Sequence, residues 1–201
     1  VIGSTDGGRT WAFEHLPVSP YALRSISCVS DTRCEAGGAD AGDGPDIFST
    51  TDGSNWTQQA LPVAQGGMAA VACLSPTTCV AVSGGSGLTT GDAGATWSQT
   101  PVPAVPDVPQ ATACPTATHC LALANDALGR PESLVSDDHG KTWAVHELSP
   151  AFGRIWDVAC PALDHCVAVS QGTPAKPQGI VSHVLVSDDG GSAASLWSTL
   201  F

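Results

Sequence analysis

Two residue types of unlike chemistry recur in step along this chain, and that phasing restricts its fold more than any other feature. Trp11, Trp56, Trp97 and Trp143 are separated by 45, 41 and 46 residues; Cys28, Cys73, Cys114 and Cys160 repeat with the same intervals, each 17 positions after its Trp. A second Cys follows each first after five intervening residues, giving Cys28/Cys34, Cys73/Cys79, Cys114/Cys120 and Cys160/Cys166. A register held through four such periods marks a propeller or a solenoid built from one repeated unit.

Within one period, after Trp56, short extended runs reach Leu61-Pro62, then cover Met68 to Cys73, Cys79 to Ser83 and Gly87 to Thr90 before Trp97. Clusters of Gly, Pro, Ser, Thr and Asp separate them, and no helical period persists. Four antiparallel strands per period make a propeller blade. The run ending at each first Cys is rich in small residues, which predicts that it lies innermost, where strands converge. The expected fold is all-β, a β-propeller of about four and a half blades. It comprises an outer half-blade over residues 1–17 and blades over 21–62, 68–102, 108–149 and 154–201, as one domain or as part of a larger propeller. After Trp197 no residues remain to complete the half-blade, so this reading favours a longer chain, with a second subunit on the open blade face as the alternative.

The turns before the tryptophans carry a family resemblance. Ser4 to Trp11, Thr90 to Trp97 and Ser136 to Trp143 fit S/T-x-D-x-G-x-T-W; Ser49 to Trp56 is a looser copy with its Asp displaced, and Ser187 to Trp197 carries an insertion before the Trp. These strings resemble the Asp-box of BNR repeats, and the chain is similar to sialidase-like and photosystem-II-assembly-factor-like propellers. The box also has a physical logic of its own. Its Asp accepts backbone N–H bonds, its Gly supplies a left-handed position and its Trp buries a large ring. Asp6, Trp11, Asp52, Trp56, Asp92, Trp97, Asp138, Trp143, Asp189 and Trp197 are therefore read as structural.

Composition narrows the function. Nineteen acidic against seven basic side chains give a net charge of −12, so the clustered cations that phosphates need are lacking and nucleic acid is not expected as a partner. No apolar run is long enough to insert into a membrane. Eight cysteines in even pairs predict local disulfides and an oxidising compartment, hence a secreted or extracellular protein whose signal peptide lies outside these residues. His119 and His165 precede Cys120 and Cys166, yet Arg33 and Thr78 hold the equivalent places. The Cys pattern thus recurs without the His, and no metal is assigned. No motif calls for a cofactor.

The resemblance to sialidases implies an arginine triad, a Tyr/Glu nucleophile pair and an Asp acid/base. This chain has one tyrosine and no F/Y-R-I-P string, Phe152-Gly153-Arg154-Ile155-Trp156 being the nearest, and no catalytic residue is assigned. In the families it resembles, ligands bind on the face opposite the boxes. Ligand candidates there are Tyr21, Arg24, Arg130, Glu132, Arg154, Trp156 and Asp157, with Asp43 and Lys176 beside them. The expected function is a non-catalytic secreted propeller that binds a glycan or an extracellular protein; the alternative is a sialidase-like glycoside hydrolase whose catalytic set is incomplete here.

Overall fold

Alternation of small apolar and polar residues between Gly-rich turns produces eighteen short strands in the computed structural model, which describes residues 1–62, 66–67, 70–103, 109–126, 128–172, 181–191 and 197–199. Strands β1 (Ile2–Gly3) and β2 (Ala12–Phe13) pair as a two-stranded half-blade. Blade 1 follows as β3 (Ala22–Cys28), β4 (Cys34–Ala39), β5 (Pro45–Thr50) and β6 (Trp56–Gln58). Blade 2 is β7 (Ala70–Cys73), β8 (Cys79–Ser83), β9 (Ser86–Thr90) and β10 (Ser98–Pro101). Blade 3 is β11 (Ala111–Ala113), β12 (Cys120–Asn125), β13 (Pro131–Ser136) and β14 (Ala144–Glu147). Blade 4 is β15 (Arg154–Ala162), β16 (His165–Gly172), β17 (Val181–Ser187) and β18 (Trp197–Thr199). Each blade is a four-stranded antiparallel sheet in chain order. The protein is a β-propeller.

The first strands of successive blades lie against one another, β3 on β7, β7 on β11 and β11 on β15, so the small-residue runs do converge. Ser25 and Ser27 on β3 strengthen that contact by accepting bonds from the backbone N–H groups of Val71 (3.0 Å) and Cys73 (2.9 Å). All four cysteine pairs are disulfide-bonded within their own blades, across the turn between first and second strands.

The cores are the seams between blades. Because side chains alternate across a strand, odd and even positions serve different seams. Cys120, Ala122 and Ala124 of β12 pack with Val80 and Val82 of blade 2, whereas Leu121 and Leu123 pack with Ile155, Val158, Leu185 and Trp197 of blade 4. Ile47 of blade 1 packs with Val71, Leu88 and Trp97 of blade 2, and Ala36, Phe48 and Trp56 take Val1 and Leu16 from the half-blade side. Among the described residues no buried cluster joins blade 4 to the half-blade. Trp11 is 61% exposed and Phe13 88%, although Trp56, Trp97, Trp143 and Trp197 are all buried. The expectation that every box Trp is buried is not met at Trp11, which stands on the two-stranded half-blade.

Candidate functional site

The turn carboxylates are occupied by their own backbone. Asp138 accepts from the N–H groups of Lys141 (3.1 Å) and Thr142 (2.8 Å) and from the Thr142 hydroxyl (2.7 Å), while Ser136 donates to it at 2.9 Å. Asp6 repeats the pattern with Arg9, Thr10 and Ser4. The Thr142 hydroxyl and amide hold the Asp138 carboxyl down to about 2, and the Thr10 amide and hydroxyl do the same for Asp6. Asp92 and Asp52 are lowered in the same way, chiefly by the side chains of Thr96 and Asn55. Asp189 accepts from Ser187 at 2.5 Å and from the Gly191 amide at 3.1 Å.

Two successive left-handed residues make each turn: Gly7-Gly8, Ala93-Gly94, His139-Gly140 and Gly190-Gly191. The looser copy has only Gly53 in that conformation. Its Asp52 is therefore not displaced; one left-handed residue is missing after it, and Thr50 takes the place of Ser4 and Ser136, donating to Asp52 at 3.1 Å. Asn55 donates its side-chain amide to Asp52 at 2.7 Å and so belongs to the clamp.

Box turns and disulfide turns share one face of the arc. The amide of Ala93 donates to the carbonyl of Thr77 (2.9 Å) and that of His139 to Thr118 (3.1 Å). His119 Nδ1 lies 2.6 Å from the Asp137 carboxylate of its own blade, and its Nε2 lies 2.9 Å from the Gly190 carbonyl of the next. Arg33 makes the equivalent bond to the Ala93 carbonyl and pairs with Glu35 at 2.8 Å. Glu35 is wholly buried, and that burial outweighs Arg33 and pushes its carboxyl up to about 7.

On the opposite face the ligand candidates separate into two groups. Arg130 and Glu132 come together in a cleft of about 90 Å³, lined also by Asp126, Pro131, Glu147, Leu148 and Pro150. Asp126 shapes its rim. One carboxylate oxygen accepts from the amides of Leu128 (2.9 Å) and Arg130 (2.8 Å), and the other from Arg130 Nε (2.6 Å). The Arg130 amide is the main cause of the lowered Asp126 carboxyl. Glu132 stands directly across the β13–β14 ladder from Glu147. Burial, then the charges of Asp126 and Glu147, raise Glu132, and its Oε2 is buried without a hydrogen-bond partner among the described residues. Sequence reading missed Glu147 and Asp126, although the box hairpin fixes the register that places Glu147 opposite Glu132.

The second group stands on the innermost strands. In blades 1 and 4 the ladder between first and second strands shifts at the same place, between Leu23 and Ser25 and between Ile155 and Asp157. Arg24 and Trp156 are the extra residues of these bulges, and both side chains are exposed. A bulge re-aims the side chain it carries, which accounts for their exit from the blade surfaces. The Arg154 guanidinium lies over the Trp156 ring at 5.1 Å from its centroid. Asp157 caps the following amide, Val158 N–H, at 2.8 Å. Tyr21 is 78% exposed, its amide tied to the Ala39 carbonyl at 2.9 Å. Asp43 has a left-handed backbone and accepts from the Gly67 amide through its carbonyl. Lys176 lies outside the described residues. Among the described residues no cluster of His, Cys, Asp and Glu has a geometry for holding a metal ion.

No protein-family model matches the chain, and no curated protein matches it. Among solved structures it is similar to YCF48 bound to D1 peptide (17% identity, TM-score 0.58, 98% of this chain and 73% of that one) and to YCF48 from Cyanidioschyzon merolae (19%, 0.59, 98% and 65%). An ancestral GH74 enzyme is likewise similar (12%, TM-score 0.67, 99% and 28%), and NanB plus Optactamide matches over 72% of this chain at 12% identity and TM-score 0.53. These likenesses are of fold. The chain spans 65% of the YCF48 chain from Cyanidioschyzon merolae and 28% of the ancestral GH74 chain.

Proposed function

We propose that this chain is a non-catalytic, secreted Asp-box propeller segment that binds a glycan or a protein on the face opposite its box turns. The observation that carries the reading is the pair of equivalent bulges, which turn Arg24 and Trp156 outward on the innermost strands of blades 1 and 4 and set Arg154 on the Trp156 ring. A guanidinium and a flat ring suit a carboxylate, a peptide group or a sugar face. The box carboxylates are consumed by their turns and offer no acid or nucleophile. Binding rather than turnover also accords with the YCF48 structure that holds a peptide, a protein of the same fold. Four disulfides fit an oxidising environment, from which export is inferred; among the described residues no helix is long and apolar enough to cross a membrane.

Among the described residues, the raised Glu132 opposite Glu147 is the one arrangement that favours the hydrolase alternative, since glycosidases work with a pair of carboxyl groups. One experiment addresses both readings. Arg24→Glu and Arg154→Glu variants are expected to lose ligands found by glycan array and secretome pull-down while keeping the wild-type Tm. Hydrolysis of fluorogenic sialosides or β-glucosides, abolished by Glu132→Gln, would replace the binding reading with the enzyme.

A further inference from the structure

At the seams between blades, the second left-handed glycine of a box turn rests on the residue that follows the second Cys of the blade before. A Cβ on Gly140 would meet Val80 at 2.8 Å, and one on Gly191 would meet Leu121 at 2.8 Å. Between blades 1 and 2 the same place holds a carboxyl: a Cβ on Gly94 would lie 3.2 Å from Glu35 Oε1. Glu35 is as fully buried as its aliphatic counterparts. An acid at a place that Val or Leu fills well is costly when ionised, which makes this seam depend on a proton.

The groups around Glu35 fix where that proton acts. Its partners across the ladders are Ser27 and Ser49, and Gln59 donates to the Ser49 hydroxyl at 2.5 Å. From blade 2 it faces the box turn at Gly94, whose own carboxylate, Asp92, is bound to Thr90 and Thr96. Asp52 of its own blade is likewise bound by Thr50 and Asn55. Among the described residues Arg33 is the one charge that acts on the Glu35 carboxyl. A single guanidinium nitrogen, Nη2, donates to Glu35 Oε1 at 2.8 Å and, across the seam, to the Ala93 carbonyl. Glu35 Oε2 has no hydrogen-bond partner among the described residues. A protonated Glu35 leaves the guanidinium on that carbonyl. An ionised Glu35 has two charged oxygens to satisfy, and the guanidinium meets both only by turning its fork onto the carboxylate, away from the neutral and weaker acceptor. Burial, opposed by Arg33, pushes this carboxyl up to about 7, so the exchange falls at neutral pH.

We propose that Glu35 and Arg33 form a proton-operated latch between blades 1 and 2: with Glu35 protonated, Arg33 ties blade 1 to the Ala93 carbonyl, and with Glu35 ionised the guanidinium turns to the carboxylate and releases the box turn. On the innermost strand, Ser25 and Ser27 hold the Val71 and Cys73 amides through hydroxyls that do not titrate. Released at the box turn and held there, blade 1 hinges about its first strand. Arg24 stands on blade 1 and Trp156 on blade 4, so the latch sets their separation. That control over the ligand surface rests on the binding reading; the latch itself does not.

Carbon-detected NMR of the chain, with no ligand added, tests it. On titration through neutral pH the Ala93 carbonyl carbon and the Glu35 carboxyl carbon are expected to step together, with one midpoint at about 7. Glu35→Gln, which keeps the shape of the neutral acid, should hold Ala93 at its acid-side position throughout. Arg33→Thr, which copies Thr78 at the equivalent place in blade 2, should leave Ala93 in the released position without a step. Thermal melts check that both variants fold; if either does not, the coincidence of the two midpoints in wild type decides. An Ala93 carbonyl that does not respond, one that titrates apart from Glu35, or a step that persists in either folded variant overturns the latch. Ligand binding by Arg24→Glu is measured without reference to Ala93, so the two readings fail separately.

Discussion

At the scale of single residues, buried charge sets how this protein responds to acid. Glu35 has its folded-state carboxyl raised to about 7 by burial, so the native state holds a proton that the unfolded chain releases near the ordinary value of 4.5. Stability therefore falls as pH rises from about 4.5 to 7, and Asp46 and Glu132, also raised by burial, act in the same direction. The box carboxylates act oppositely: Asp6, Asp52, Asp92 and Asp138 are lowered, and what they contribute is lost as pH drops from about 4 toward 2. Denaturant unfolding is expected to show greatest stability between pH 4 and 5. Glu35→Gln should flatten the neutral limb by up to roughly 3 kcal/mol. A wild-type profile that rises from pH 5 to 7 would contradict this account of the Glu35 seam.

At the scale of strands and turns, the box tryptophans should behave as packing residues. Trp143 fills the seam between blades 2 and 3 and donates its indole N–H to the Gly140 carbonyl at 3.0 Å. Trp143→Ala is expected to cost about 3–5 kcal/mol, whereas Trp11→Ala, on an exposed ring, should cost under about 1 kcal/mol. Equal losses at the two positions would refute the seam description. Much of this level was legible beforehand, because the Trp and Cys phasing fixes strand number, order and disulfide pairing. Bulges were not. A register shift at Arg24 or Trp156 leaves no composition mark, since it depends on how each first strand meets its neighbour across the hairpin. Gly53 was equally opaque: only the backbone shows that one left-handed residue is missing, rather than an Asp displaced. The Asp126 cleft stayed hidden because its carboxylates sit 6, 15 and 21 residues apart and meet only through the β13–β14 ladder.

At the scale of the whole molecule, the seams make stability graded. Among the described residues, blades 1, 2 and 3 pack against a neighbour on both sides, while the half-blade and blade 4 each pack on one. In a quasi-one-dimensional repeat array, each unit's stability depends on its neighbours. Hydrogen exchange is expected to be slowest in β8 and β12 and fastest in β1 and β2, with β16 between; uniform protection would show the blades to unfold as one unit. The disulfides add nothing to this gradient, since each closes within a blade across a sequence separation of 6. That locality bears on how the protein is made. Eight cysteines can pair in roughly a hundred ways. Successive pairs, however, begin 41 to 46 residues apart, and a ribosome adding about 5–20 residues per second leaves seconds between the appearance of one pair and the next. Were the chain delivered into an oxidising compartment as it is synthesised, each pair of thiols would meet its own partner before a competitor existed, and the order of translation itself would select the native bridges.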